Sequence, residues 1–331
     1  MKGSAEIMPY EVTITDILLA ARFLKNRIRH TPIEFSPALS KITGGKVWLK
    51  LENQQIAGSF KPRGAFNRMF AMTEEERQKG VITCSSGNHA QGIAMAARDL
   101  KVRSVICVPG QCPQVKRESI LEKGGEFVEL RVIGTYYDEA EIESMKMAER
   151  ENLVFISAFD DPYVSAGQGT VGLEMLQDEP ELDIILCQIS GAGLIRGVAT
   201  AAKALRPAIK VWGVHAKANP AWPEAVKKGM VELVDEEVSL ADALGGGACQ
   251  NHLDFVLNKL EGLIAVSEED IAKGIRFMFE KHHQLVEGAG AIAAAAALAG
   301  SIDLKGQKVG IVVSGGNIGE EKFLSALKCG R

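Results

Sequence analysis

Gly58-Ser59-Phe60-Lys61-Pro62-Arg63-Gly64-Ala65 puts a lysine in an unusual local setting. Before it, Val47-Trp48-Leu49-Lys50-Leu51 reads as a short strand; after it, Ala65 to Met72 carries apolar residues at helical spacing. Lys61 therefore sits at a loop-to-helix junction. Pro62 suits the first helical turn, where its missing N–H costs nothing. The positive end of the helix dipole then lies beside the Lys61 amine and disfavours its charged form. Partial desolvation acts in the same direction, toward the neutral nucleophile that Schiff-base chemistry requires. The plainer alternative is a solvated surface lysine following a turn.

Working outward, Ser85-Ser86-Gly87-Asn88-His89-Ala90-Gln91-Gly92 lies between an apolar strand, Val81 to Cys84, and a helix, Ala90 to Leu100. Backbone N–H groups at such a junction form an anion-binding turn suited to a carboxylate, although Ser-Gly-Asn is also ordinary turn chemistry. His89, in the first helical turn, reads as a hydrogen-bonding spacer rather than a proton shuttle. Ser190-Gly191-Ala192-Gly193-Leu194 repeats the strand, small residues, helix pattern and suits a phosphate. A dinucleotide loop is excluded by spacing, because Arg196 stands where G-x-G-x-x-G needs its last glycine and Gly197 comes one residue late. Arg196 is either a support for the anion or part of a solvated helix face. The Ala192 methyl would crowd a phosphate if its backbone needs positive φ. Ser314-Gly315-Gly316-Asn317 follows the buried strand Val309 to Val313 and, taken alone, could be only a turn.

Together with Ala166-Gly167-Gln168-Gly169-Thr170, these motifs resemble, in family order and over almost the whole chain, the fold-type II pyridoxal-phosphate enzymes, in particular the serine/threonine dehydratase and serine racemase family. The resemblance implies that Lys61 carries the cofactor as an internal aldimine and that Phe60 packs near the pyridine ring. Ser85, Ser86, Gly87, Asn88 and His89 would bind the substrate carboxylate, with Asn88 also near the cofactor's phenolic oxygen. Ser190, Gly191, Ala192, Gly193 and Leu194 would bind the cofactor phosphate; the family loop is commonly four glycines, so Ser190 and Ala192 are departures. Ser314 would meet the pyridine nitrogen. A hydroxyl there cannot hold the ring protonated as a carboxylate does, which favours rapid loss of a β-substituent over transamination.

The activity implied is pyridoxal-phosphate-dependent β-elimination of a β-hydroxy amino acid, L-threonine or L-serine, giving a 2-oxo acid and ammonia, with Lys61 and Ser86 as the catalytic residues. Serine racemase is an alternative, since the Ser86 hydroxyl could serve the face opposite Lys61. So is a dehydratase for a less common substrate, because Ala241-Asp242-Ala243-Leu244-Gly245-Gly246-Gly247 resembles the version in dehydratases of hydroxyectoine breakdown. A non-catalytic binding protein is opposed by the intact Lys61 and Ser314. No metal is expected. Relatives hold a divalent cation with a glutamate, a backbone carbonyl and an aspartate where this chain has His215, Asn219 and Ala221, and Glu224 is at the wrong offset. The chain ends at Arg331, so the C-terminal effector domain of regulated relatives is expected to be absent.

At 331 residues, the chain is long enough for about two domains. Hydrophobic content of 46%, charged content of 24% and net charge -4 describe a soluble protein without the basic excess that nucleic acid or an anionic membrane calls for. Met1 to Tyr10 lacks a secretory pattern, so a cytoplasmic location is expected. The six scattered cysteines indicate neither a zinc site nor disulfides and read as buried small hydrophobes. Thr15 is read as the cap of a helix running through Ile17, Ala20, Ala21, Leu24 and Ile28, and Gly288 to Ile302 as a buried helix. From Gly80 onward, short apolar strands alternate with helices, which implies parallel sheets covered by helices. The fold class is thus α/β. The resemblance refines this to two doubly wound parallel-sheet domains of tryptophan synthase β-like architecture, a small one (83–157) inserted into a large one (1–82 and 158–331). The cofactor and a small amino-acid substrate would lie in the cleft, and the assembly would be a homodimer or homotetramer.

Overall fold

The computed structural model describes residues 11–329, so the reading of Met1 to Tyr10 lies outside the described residues. The chain runs α1 (Ile14–Leu24), β1 (Ile33–Phe35), α2 (Pro37–Thr43), β2 (Lys46–Leu51), α3 (Lys61–Phe70), α4 (Glu74–Lys79), β3 (Val81–Cys84) and α5 (Asn88–Leu100). It continues through β4 (Ser104–Val108), α6 (Gln114–Gly124), β5 (Val128–Val132), α7 (Tyr137–Arg150), β6 (Val154–Phe155), α8 (Pro162–Asp178), β7 (Ile184–Gln188) and α9 (Gly193–Leu205). It closes with β8 (Lys210–Ala216), α10 (Ala221–Lys228), α11 (Leu253–Lys259), β9 (Gly262–Val266), α12 (Glu268–His282), α13 (Gly288–Leu298), β10 (Lys308–Val313) and α14 (Glu320–Cys329).

The strands form a six-stranded sheet, ordered β1-β2-β10-β7-β8-β9, and a four-stranded sheet, β5-β4-β3-β6. Every pairing is parallel except β1 with β2. β3, β4 and β7 are buried at every residue, as strands covered on both faces must be, which is why they read as unbroken apolar runs. The small sheet uses only residues 81–155 and the large one only 33–51 and 184–313. The boundary placed at Thr83 cuts β3, whose pairing with β4 begins at Val81.

The first helix has its cap two residues earlier than Thr15. Thr13 caps it, accepting from the Asp16 N–H while the Asp16 carboxylate accepts the Thr13 N–H. It ends at Leu24, before Ile28, because Asn26 turns to φ 70°. The glycine motif 166–170 lies inside α8, where its small residues serve packing. A Cβ at Gly167 would sit 2.4 Å from the Arg63 carbonyl oxygen in α3, and one at Gly169 would sit 3.0 Å from the Gly197 carbonyl oxygen in α9. The Gln168 side chain accepts from the Gly64 N–H at 3.1 Å. Helix α8 is therefore a spine against which α3 and α9 both press. Beside it, Arg63 pairs with Glu52 (2.7 Å) and Glu174 (2.6 Å), and Lys50 pairs with Glu174 (2.6 Å); Lys50, Glu52 and Arg63 are fully buried. Among the described residues, no helix is long and apolar enough to cross a membrane.

Candidate active site

β2, β10 and β7 are neighbours and run parallel, so the segments that leave them gather at one edge of the sheet, where open α/β folds bind ligands. Those segments carry Lys61, Ser314 and Ser190. The first two are stitched directly: the Phe60 N–H donates to the Ser314 carbonyl (3.0 Å), the Gly316 N–H donates to the Gly58 carbonyl (2.8 Å), and Ser59 and Gly315 form a bridge. Lys61 occupies the first position of α3, with Pro62 in the first turn as expected. Its Nζ donates to the Ala158 carbonyl at 3.2 Å and lies 5.2 Å from the Phe60 ring centre. Burial pushes the amine down to about 8, against the opposing pull of the Glu287 carboxylate. Ser314 is buried and its hydroxyl donates to the Ala289 carbonyl at 3.3 Å.

From the small sheet, β3 delivers Ser85 to Asn88 at the start of α5. The Ser85 hydroxyl accepts from the Gly87 N–H at 3.2 Å, tightening the turn, while the half-buried Ser86 hydroxyl has no protein partner among the described residues. Asn88 is fixed by a chain of amides. Asn317 Nδ2 donates to the Ala57 carbonyl (2.8 Å) and to Asn88 Oδ1 (2.7 Å), so Asn88 Nδ2 faces Glu287 Oε1 at 2.8 Å. His89 departs from the set expected to touch a carboxylate: it is buried, and burial together with the nearby Lys61 charge pushes its imidazole down to about 3.

Glu287 escapes a motif reading altogether. It precedes the wholly apolar α13 and caps it only by position, making no side-chain cap bond. Its carboxylate instead turns toward Asn88 and packs on Gly315, where an added Cβ would lie 2.4 Å from Oε1. Burial and the charge of Asp242 push its carboxyl up to about 7, while the Asn88 bond, Lys116 and Lys322 pull it back. An acid directly before an alanine-rich buried helix was the one signal the sequence offered for it.

In the third segment, Ala192 is the residue before α9 and adopts φ 67°, the left-handed backbone for which its methyl is a penalty. Among the described residues, the N–H groups of Gly191, Ala192, Gly193 and Leu194 have no acceptor in the chain. Phe159 backs the loop; a Cβ at Gly191 would fall 2.2 Å from its ring and one at Gly193 would fall 2.9 Å from its backbone. Free donors at the start of a helix, next to a lysine of lowered basicity, fit the phosphate and aldehyde of pyridoxal phosphate. Ser190 turns its hydroxyl to the Gly245 carbonyl at 3.4 Å, so the glycine segment 245–247 borders the same site. Arg196 matches neither expectation, being buried and bonded to His252 at 3.1 Å.

His215 is a strand residue whose Nδ1 donates to the Ala216 carbonyl at 3.0 Å, and Asn219 spends its amide on Leu244 and Ala221. Asp160, Cys249 and His252 bring metal-ligating atoms together, but the His252 lone pair there already accepts from Arg196. Cys84, Cys107, Cys112 and Cys187 are buried as expected; Cys249 is half-buried and Cys329 exposed, which departs from that reading.

A parallel-sheet edge that gathers a depressed lysine, a helix-start anion loop and a buried serine defines a fold-type II pyridoxal-phosphate enzyme. Comparison with known proteins agrees. Residues 24–315 match the model of the family described as pyridoxal-phosphate dependent enzyme, and the chain belongs to that family. It is 40% identical over 309 residues to an L-threonine ammonia-lyase of Thermotoga maritima, covering 93% of this chain and 76% of that protein. It superposes on maize serine racemase with TM-score 0.89 at 32% identity, covering 96% and 98% of the two chains. Against the processed form of threonine deaminase isoform 2 from Solanum lycopersicum, the TM-score is 0.89 at 29% identity, covering 99% of this chain and 94% of that one.

Proposed function

We propose that this protein is an ammonia-lyase that eliminates water from a β-hydroxy amino acid, L-threonine or L-serine, and releases an enamine that water then hydrolyses to a 2-oxo acid and ammonia. The observation that carries the reading is Ser314, buried and with its carbonyl tied to the Phe60 N–H beside Lys61, in a chain 40% identical to an L-threonine ammonia-lyase. The bound cofactor supplies an electron sink that makes the substrate's α-proton removable. Lys61 Nζ anchors the cofactor and, with its basicity lowered to about 8, takes that proton. Ser314, Phe60, Asn88 and the N–H groups of residues 190–194 hold the cofactor, and the turn at Ser85, Ser86, Gly87 and Asn88 holds the substrate carboxylate. A neutral hydroxyl at Ser314 leaves the electron sink weak, which favours quick departure of the β-hydroxyl.

A racemase is the second reading. It is favoured by the Ser86 hydroxyl, which has no protein partner among the described residues and could serve the other face as a proton donor, and by the likeness to maize serine racemase. One experiment separates them: purified protein loaded with pyridoxal phosphate is offered a panel of β-hydroxy amino acids, and both 2-oxo acid and D-amino acid are measured. The lyase reading expects 2-oxo acid from L-threonine or L-serine, loss of turnover and of the cofactor's visible band in Lys61→Ala, and elimination largely retained in Ser86→Ala. D-amino acid as the main product would reverse the order of the two readings. A panel in which only a rarer hydroxy amino acid reacts would move the substrate toward the hydroxyectoine-type dehydratases that the segment 241–247 resembles. An active Lys61→Ala enzyme would end both.

A further inference from the structure

We infer that His252 and Trp222 are positioning residues for the phosphate loop, aiming its N–H groups by holding the opposite sides of the same peptide planes. The inference rests on the reading of residues 190–194 as the place of the cofactor's phosphate. In a trans peptide the C=O of one residue and the N–H of the next point in opposite directions. The Ser190 carbonyl accepts from Trp222 Nε1, and the Gly191 carbonyl accepts from His252 Nδ1 at 2.8 Å. Each bond therefore turns the N–H that follows, that of Gly191 or of Ala192, away from the side on which its carbonyl is held. Two successive N–H groups aimed together are the basis of an anion-binding nest.

The arrangement is internal to the fold. His252 is fully buried and Trp222 is 3% exposed. Their elements lie far from the loop in sequence: Trp222 is in α10, and His252 ends the short turn Gln250–His252 before α11. The chemistry of the neighbours also fixes the imidazole. A carbonyl only accepts, so Nδ1 carries the hydrogen; a guanidinium only donates, so Nε2, 3.1 Å from Arg196, presents its lone pair. Burial, and then the Arg196 charge against the pull of the Gly191 bond and Asp160, keeps the ring neutral and in this tautomer. Arg196 belongs to α9 itself, so the bond sequence from Gly191 through His252 to Arg196 closes on the helix that the loop starts. Ala192 lies within this circuit, and its left-handed backbone is held where a free chain would relax it.

The test uses the apo protein and compares two probes, pyridoxal phosphate and pyridoxal, which share the aldehyde and differ in the phosphate. Equilibrium titration of each gives a phosphate preference. His252→Leu removes the donor and is expected to weaken pyridoxal phosphate about 10-fold while leaving pyridoxal unchanged, the size of one oriented hydrogen bond lost. His252→Asn, whose amide nitrogen can reach Gly191 in place of Nδ1, is expected to restore most of the preference although it cannot reach Arg196. Trp222→Phe should weaken pyridoxal phosphate selectively as well, and it carries the test if His252→Leu fails to fold. Ala192→Asp, a negative side chain in the loop, controls for the underlying reading. If Ala192→Asp abolishes the preference but neither His252→Leu nor Trp222→Phe changes it, or if both probes weaken equally, the positioning role is wrong. If Ala192→Asp leaves the preference intact, residues 190–194 do not hold the phosphate and the inference falls with that reading.

Discussion

Glu287→Gln should make the apo protein more stable at alkaline pH and let the Lys61 amine react at lower pH. The wild-type carboxyl has an ordinary value of 4.5 when unfolded and about 7 when folded. A raised acid contributes no penalty below pH 4.5, where both states are protonated; stability is then lost as pH rises from 4.5 through 7, because folding buries a charge that water would solvate. At 1.36 kcal/mol per unit, the full cost above pH 7 is on the order of 3 kcal/mol. Glutamine keeps the oxygen that accepts from Asn88 Nδ2 and removes the charge. With an unfolding entropy of roughly 0.7 kcal/mol/K for a chain of this size, the variant should melt about 4–5 °C higher at pH 8.5. That pH is chosen because Lys61, pushed down to about 8, is then largely neutral with or without its acidic neighbour. Thermal melts of apo wild type and variant at pH 4.5, 6 and 8.5 provide the assay, and the gap should close as pH falls to 4.5. A gap that does not change with pH, or a variant less stable at pH 8.5, would refute the argument that this carboxylate is held against its preference. In the same variant, the Lys61 amine loses a stabilising negative charge, so its reaction with pyridoxal phosphate should reach half-maximal rate at a lower pH.

Arg63→Met strands the carboxylate of Glu52, which is fully buried, and should cost about 3–5 kcal/mol in a chemical denaturation experiment, with Glu52→Gln added to it recovering part of the loss; a cost under about 1 kcal/mol would mean that water replaces the guanidinium. In the same network, Glu174 is opposed by burial but held below the usual carboxylate range by Arg63 and Lys50, so its share of stability is present above pH 4.5 and should be lost as acid titrates it below that point. Ala192→Gly relieves a left-handed alanine and should stabilise the apo protein by about 1 kcal/mol, read as a higher melting temperature; a destabilised variant would show that the methyl packs usefully. Activity and melting temperature should be indifferent to chelator and to added Mg²⁺ or Ca²⁺, since His215 and Asn219 spend their polar atoms locally. Loss in EDTA that either ion restores would reveal a site elsewhere.

What the sequence disclosed was governed by how local the physics is. Buried parallel strands announce themselves as apolar runs, so these elements were legible. Lys61, Asn88, Ser190 and Ser314 were legible because each sits in a strand-to-helix junction or strand-end turn of small residues. β1 was missed because three residues, one half-buried and two exposed, carry no period. α8 was missed as a helix because its glycines read as motif rather than as contact surface. Glu287, Asn317 and His252 act across separations that no window spans: 199 residues from Glu287 to Asn88, 229 from Asn317 to Asn88 and 61 from His252 to Gly191. Arg196 was misjudged in the same way, since the partner that makes burial tolerable comes 56 residues later.

The glycines of α8 carry a consequence for engineering. With Gly167 against the backbone of α3 and Gly169 against the backbone of α9, the helix that bears Lys61 and the helix that opens at the phosphate loop rest on one beam with no side-chain cushion between them. A methyl at Gly167 has nowhere to go except into the α3 main chain, and one at Gly169 meets the Ile17 side chain at 2.6 Å and the Gly197 carbonyl at 3.0 Å, so either addition pushes on a helix packed against the beam. Tolerance to mutation should therefore be lowest along this beam, well away from any atom that meets substrate. The turn at Ser85 to Asn88 leaves the other sheet, yet the helix it opens meets α3 at Gly92, where an added Cβ would lie 3.3 Å from the Lys61 carbonyl. Libraries aimed at a new side chain belong instead in the segment 245–247, which borders the site and has open space around Gly246 and Gly247.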